Sequence, residues 1–199
     1  MKNIIILLLL LIIATPVYSG VAITVGGTAI IKEGGTLTRN ILITDDVDTN
    51  SDGWTYSLSV DSVVVDAGVI AAGSSSFNIS HTFPDGPITS LVEVQVTDSG
   101  PDVTTGSFYV IVQNVSPVTT ITGNDTVVAN NSYSIVLATL DPGDDTITSR
   151  TIEWGDGTSN NILTHTYTTP GTYRIRVWIA DEDGSAWMTG SKKVVVTGE

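Results

Sequence analysis

Only two imidazoles occur in this chain of 199 residues, and they fall in matching contexts, His81-Thr-Phe83 and His165-Thr-Tyr167. A histidine of this kind can serve as a general base or as a metal ligand. A triad needs Ser, His and an acid converging beside an oxyanion hole, and no Gly-x-Ser-x-Gly turn occurs. A zinc site needs several Cys, His or carboxylate ligands at close spacing, and the chain has no Cys. Recurrence of the same His in two similar segments points instead to a structural hydrogen bond between turn and strand. No catalytic residue is therefore assigned.

Carboxylates are the abundant chemical group: 21 Asp+Glu stand against 8 Lys+Arg, a formal net charge of −13. That balance argues against nucleic-acid binding, because a phosphate backbone calls for a basic footprint. The acids cluster in turns, which gives no paired-carboxylate cleft for glycoside hydrolysis. It does suit a hard cation, which takes six to eight oxygen ligands. One candidate calcium loop is Asp46, Asp48, Asn50 and Asp52, with oxygens at alternate positions. It departs from an EF-hand, since its glycine, Gly53, comes two positions late. A second candidate is Asp141, Asp144 and Asp145 with Asp181 and Asp183, provided that their loops meet at one end. No cofactor is required by this reading; calcium is the candidate ion. A third feature is Trp178, which alternation places outward on the same face as Arg174 and Arg176, with Trp187 expected close by across a hairpin. Aromatic and Arg side chains together can make a binding patch for sugar or protein.

The elements that must position these residues read as strands. Leu91–Thr97 alternates valine with polar residues, and Tyr173–Ile179 alternates apolar residues with Arg174, Arg176 and Trp178. A period of two marks a half-buried strand. Trp54–Val60, Ser107–Val112, Tyr133–Leu137 and Lys193–Thr197 are further candidates. Clusters of Gly, Pro, Asp and Ser separate them, among them Glu33-Gly-Gly35, Pro84-Asp-Gly-Pro87 and Gly155-Asp156-Gly157. Asp156-Gly157 is a hairpin signal, because Gly accepts the positive φ of a primed turn. The same Gly-Asp-Gly lacks the Lys and following helix of a phosphate-binding loop. No stretch keeps a helical period. Short strands at regular spacing indicate β-sandwiches.

Residues 1–19 carry Lys2, an unbroken apolar run from Ile4 to Ala14, Pro16, and small residues before Gly20. This is the pattern of a cleaved secretory signal peptide; the run is too short to span a bilayer. No later stretch resembles an anchor. Without Cys, a secreted chain must rely on packing, or on packing plus ions. In the rest of the chain, the segment from His81 to Asp98 is echoed by that from His165 to Asp181. Two tandem domains are expected, 20–116 and 117–199, with a short join near Gln113–Pro117.

The second half carries Trp154-Gly-Asp156-Gly157, His165-Thr-Tyr167, Gly171-Thr-Tyr173, Ile175 and Val177, then Asp181-Glu-Asp-Gly184. This order resembles the PKD (polycystic kidney disease) repeat, although two residues are missing between Trp154 and Gly155. The first half is a degenerate copy that keeps His81, Gly86 and Asp98 but has Ser59-Val-Asp61 in place of Gly-Asp-Gly. The resemblance implies an all-β chain of two immunoglobulin-like sandwiches after the leader. It gives Trp154, Asp156, Gly157, His165, Tyr167, Gly171 and Tyr173 structural roles. It implies a non-catalytic, secreted or cell-surface adhesion or spacer module, with the periplasm as another location, and a protein or polysaccharide as its partner. Two alternatives stand beside it: a self-assembling structural subunit of a surface layer, appendage or virion, and an accessory polysaccharide-binding fragment of a secreted hydrolase.

Overall fold

The computed structural model describes residues 21–44, 53–98, 103–184 and 187–198. The leader and the Asp46–Asp52 loop lie outside these residues. Alternation does what pleated backbone requires: Val92, Val94 and Val96 are buried, and Glu93 and Gln95 between them are not.

The first half forms eight strands: β1 (Ala22–Thr24), β2 (Ala29–Lys32), β3 (Gly35–Thr44), β4 (Trp54–Val60), β5 (Val63–Ile70), β6 (Ser76–Phe83), β7 (Ile88–Thr97) and β8 (Val103–Gln113). One sheet has the order β1-β3-β6 and the other β2-β8-β7-β4-β5. Between them Ile41, Leu58, Ile79, Val94 and Val110 make a core that is at most 1% exposed at each position. The β4–β5 hairpin turns on Asp61 and Ser62, with φ of 48° and 69°. Both central residues thus take the positive φ of a two-residue primed turn without any glycine.

The second half forms β9 (Val118–Thr122), β10 (Thr126–Val128), β11 (Ser132–Ser134), β12 (Val136–Leu140), β13 (Ser149–Glu153), β14 (Ser159–Asn160), β15 (Thr164–Thr166), β16 (Gly171–Ala180) and β17 (Trp187–Thr197). The main sheet runs β10-β17-β16-β13-β14; β11 pairs with β15 and β12 with β9. A second, separate core gathers Trp154, Tyr167, Ile152, Ile175, Val177 and Val194. The segment expected as one strand, Tyr133–Leu137, is two. Tyr133 pairs with His165, whereas Leu137 pairs with Ile121. The chain changes partners at buried Ile135, as strands do at a sandwich corner. Among the described residues no helix is long and apolar enough to cross a membrane.

Candidate functional site

The loops at one end of each sandwich meet. On the first side these are the β2–β3 turn with Glu33 and Gly34 and the β6–β7 turn with Pro84 and Asp85. On the second side they are the β12–β13 loop with Asp141 to Asp145 and the β16–β17 turn with Asp181 and Asp183. Backbone groups stitch them together: the Asp144 amide donates to the Pro84 carbonyl at 3.1 Å. The Val115 amide donates to Glu33 Oε1. Asn114 Nδ2 donates to Asp183 Oδ2 at 2.8 Å. Gly34 is required here for closeness as well as for its φ of +67°, since a Cβ would lie 2.3 Å from the Pro142 carbonyl oxygen.

Four carboxylates converge at this seam. Glu33, Asp85, Asp145 and Asp183 each present an oxygen, and the four oxygens lie within 4.8 Å of one another. Glu33 is only 3% exposed, and its Oε2 is buried without a hydrogen-bond partner. Both oxygens of Asp141 and both of Asp145 are likewise buried and unpartnered. The ion pairs seen among the described residues, Arg176–Glu153, Lys192–Asp125 and His165–Asp156, involve none of these acids. The electrostatic cost appears in the titration of the group. Burial, then the charges of Glu33 and Asp141, push Asp145 up to about 7. Glu33 is raised by burial against the pull of the Val115 amide, with Asp183 and Asp141 adding to the rise. Asp141 is raised mainly by burial, with the charges of Asp181, Glu182 and Asp183 adding to the rise. Like charges crowded out of water favour protonation.

Of the second acidic set expected from sequence, Asp145 and Asp183 enter the cluster. Asp141 lies against Asp145 and feels the charge of Asp181, Glu182 and Asp183. Asp181, 5% exposed, accepts the Asp183 amide at 3.1 Å. Asp144 is exposed and contributes its backbone amide. Glu33 and Asp85 come from the other half of the chain and were missed, because each sits in a Gly-containing turn that reads as turn chemistry alone. The signal available was topological: turns at the far end of a first tandem sandwich face the loops of the second.

The tryptophan patch is not assembled as expected. A bulge between Val177 and Trp178 shifts the register, so Met188 rather than Trp187 stands opposite Trp178. Trp178 is half-buried, with an unpartnered Nε1. Trp187 is 56% exposed and lines a shallow depression with Pro87, Asn114, Ser116 and Asp183 at the seam. Arg176 lies 3.9 Å from Glu153, and Arg174 Nη1 is 3.5 Å from Ser191 Oγ.

The residues given structural roles form one stack. His165 lies flat on Trp154 with centroids 4.9 Å apart, and Tyr167 is edge-on to His165 and stacked on Tyr173. His165 Nε2 meets Asp156 Oδ2 at 2.7 Å, Asp156 Oδ1 accepts from the Thr158 amide and hydroxyl, and Tyr167 donates to the Trp154 carbonyl at 2.9 Å. Gly157 follows with φ of +94°. Gly171, at the head of β16, packs under the Tyr173 ring. His81 instead meets Phe83 edge-on.

Residues 114–196 match the PKD domain family. The second sandwich is a PKD domain. No curated protein sequence matches the chain. Among solved structures, the chain is similar to extracellular domains 3–5 of Drosophila OTK, with 10% identity and a TM-score of 0.43 over 93% of this chain and 66% of that one. It is also similar to SGBP-B of the Bacteroides ovatus mixed-linkage glucan utilization locus in complex with mixed-linkage heptasaccharide, with 19% identity, a TM-score of 0.35, and coverage of 87% and 43%. A third is a 1.5-MDa bacterial ice-binding adhesin retained on the host cell surface, with 15% identity, a TM-score of 0.37, and coverage of 91% and 66%. The chain spans less than two thirds of each. The PKD sandwich contributes two of the four acidic turns at the seam, with Asp145 on one and Asp183 on the other.

Proposed function

We propose that this chain is a secreted or cell-surface, non-catalytic adhesion or spacer module that holds two sandwiches, residues 20–116 and 117–199, at a fixed relation and presents them to an extracellular protein or polysaccharide. The observation that carries this reading is the use of His165. It is stacked on Trp154, hydrogen-bonded to Asp156 and boxed by Tyr167, so this imidazole is built into packing. Exposed Trp187 at the seam is the contact residue this reading favours, because a solvent-facing aromatic can stack on a sugar ring or anchor a protein. Pull-down on insoluble glycans and on surface-protein arrays tests it. Binding that Trp187→Ala abolishes without shifting the melting temperature supports the reading; a hydrolytic activity that His165→Ala removes from a folded chain overturns it.

Calcium is the ion this reading takes, at the acidic turns 141–145 and 181–183. An ion bound only by the folded chain adds stability by mass action. Excess chelator is expected to lower the melting temperature by several degrees, and an identical melt with and without it counts against the ion.

A second reading, assembly of many copies through strand edges, is favoured by β5. This edge strand exposes Val63, Val64 and Val69 at 64%, 62% and 78%, and unpaired apolar edges invite pairing with another chain.

A further inference from the structure

We propose that one calcium ion binds between the two sandwiches, held by Glu33 and Asp85 of the first and Asp145 and Asp183 of the second, and that it sets the angle between them. The inference rests on the tandem-spacer reading and deepens it, since a spacer is useful only if its joint is defined. Two independent observations point to the ion. Carboxylate oxygens from four separate turns converge to within 4.8 Å, an approach that ionised groups resist unless a cation sits among them. Glu33, 97% shielded from solvent, also directs an unpartnered oxygen into the seam, where no Lys or Arg pairs with it.

The donor set selects the ion. All four ligands are carboxylate oxygens, which suits Mg2+ and Ca2+ rather than the N/S-seeking transition metals. Calcium–oxygen bonds of roughly 2.3–2.6 Å place opposite ligands about 4.6–5.2 Å apart, whereas magnesium at about 2.0–2.1 Å needs them near 4.2 Å. Four protein carboxylates that all lie within 4.8 Å of one another suit calcium, because magnesium keeps several of its waters and takes only one or two carboxylates. Asp141, whose two oxygens are buried and unpartnered beside Asp145, is placed to complete the shell. Each sandwich supplies only two of the four carboxylates, so occupancy and domain angle are coupled. Binding energy that depends on both partners is lost when either moves away.

Terbium luminescence and calorimetric calcium titration of the full chain test this, together with a distance distribution between one spin label on each sandwich. Trp187 lies in the same depression as Asp183 and is positioned to sensitise bound terbium. The expected result is one calcium per chain. Asp85→Asn and Glu33→Gln should weaken it at least tenfold, as should Asp145→Asn and Asp183→Asn. Calcium should also narrow the inter-label distribution in the native sequence but not in Asp85→Asn. Asp85 is exposed, so its variant folds even if the Glu33 variant does not. Gly34→Ala should also weaken binding without removing a charge, by forcing Pro142 away. Absence of calcium or terbium binding at millimolar ion overturns the proposal. So does binding that Asp145→Asn removes but Asp85→Asn leaves intact, which would put the ion on the PKD sandwich alone. An unchanged distance distribution on saturation overturns the clamp while leaving the spacer reading standing; discovery of a catalytic activity would overturn the spacer reading and leave the ion in place.

Discussion

Asp156 does at residue scale what a glycine-flanked acid is suited to do. One oxygen accepts the Thr158 amide and hydroxyl, closing the β13–β14 turn, and the other holds His165 against Trp154. Burial works to raise its pKa, but the Thr158 and His165 hydrogen bonds win, and the carboxyl lies below its ordinary value of 3.8. A lowered folded-state pKa means stability that is fully present above about 3.8 and is lost as pH falls through the lower folded value. Asp156→Ala is expected to cost roughly 1–3 kcal/mol, the usual range for hydrogen bonds to a charged group. The melting temperature should fall by at least about 5 °C, with Asp156→Asn flattening the acid limb of the melting profile. Tyr167→Phe strips the buried Trp154 carbonyl of its donor and should cost about 1 kcal/mol. A melt of either Asp156→Ala or Tyr167→Phe that matches the parent chain would show that the stack contributes nothing. These partners were readable in advance only as a pattern: Gly-Asp-Gly, His-x-Tyr and Gly-x-Tyr announce a turn and core aromatics, but not which atom each reaches.

At the scale of elements, period-two alternation was sufficient for long central strands. β7 and β16 bury every second side chain as written in their sequences. It failed where local pattern does not decide. β11 and β12 read as one strand and are split because Ile135 donates to Leu163 as the chain passes between sheets. β5 carries three consecutive valines with no alternation, since its end runs past the core and leaves Val63 and Val64 in solvent. The β4–β5 turn was invisible because Asp61 and Ser62 adopt positive φ that glycine usually supplies. The bulge at Val177/Trp178 likewise leaves no sequence mark, yet it decides that Trp187 faces the seam. β5 makes its own prediction. Lysine on an edge blocks pairing by leaving a charge that a second strand would have to bury. The double substitution Val64→Lys, Val69→Lys should abolish concentration-dependent association in sedimentation without lowering the melting temperature. Association that persists in the variant would move the assembly surface elsewhere.

At the scale of the whole molecule, the seam turns the chain's acidity into a condition for its stability. An acidic loop in one sandwich was evident from sequence, but its significance was not, because Glu33 and Asp85 lie more than fifty residues away from Asp145 and no local pattern links them. With the ion chelated, Asp145 titrates near 7 in the folded chain, against an ordinary 3.8. A raised folded-state pKa means that the folded chain binds more protons than the unfolded one between those values, so stability falls as pH climbs from about 4 to about 7 and then levels. Calcium reverses the sign. The ion binds ionised carboxylates, protons compete with it, and the folded state is then favoured as pH rises through the same window. Melting temperatures across about pH 4.5 to 7.5 should slope downward by a few degrees in chelator and upward in millimolar calcium, and the two lines should cross. Asp145→Asn removes the group that titrates highest and should flatten both. Parallel slopes in the two conditions would mean that the acids at the seam are solvated independently, and that the fixed joint between the sandwiches comes from the backbone contacts of Gly34, Pro84 and Asp144 alone.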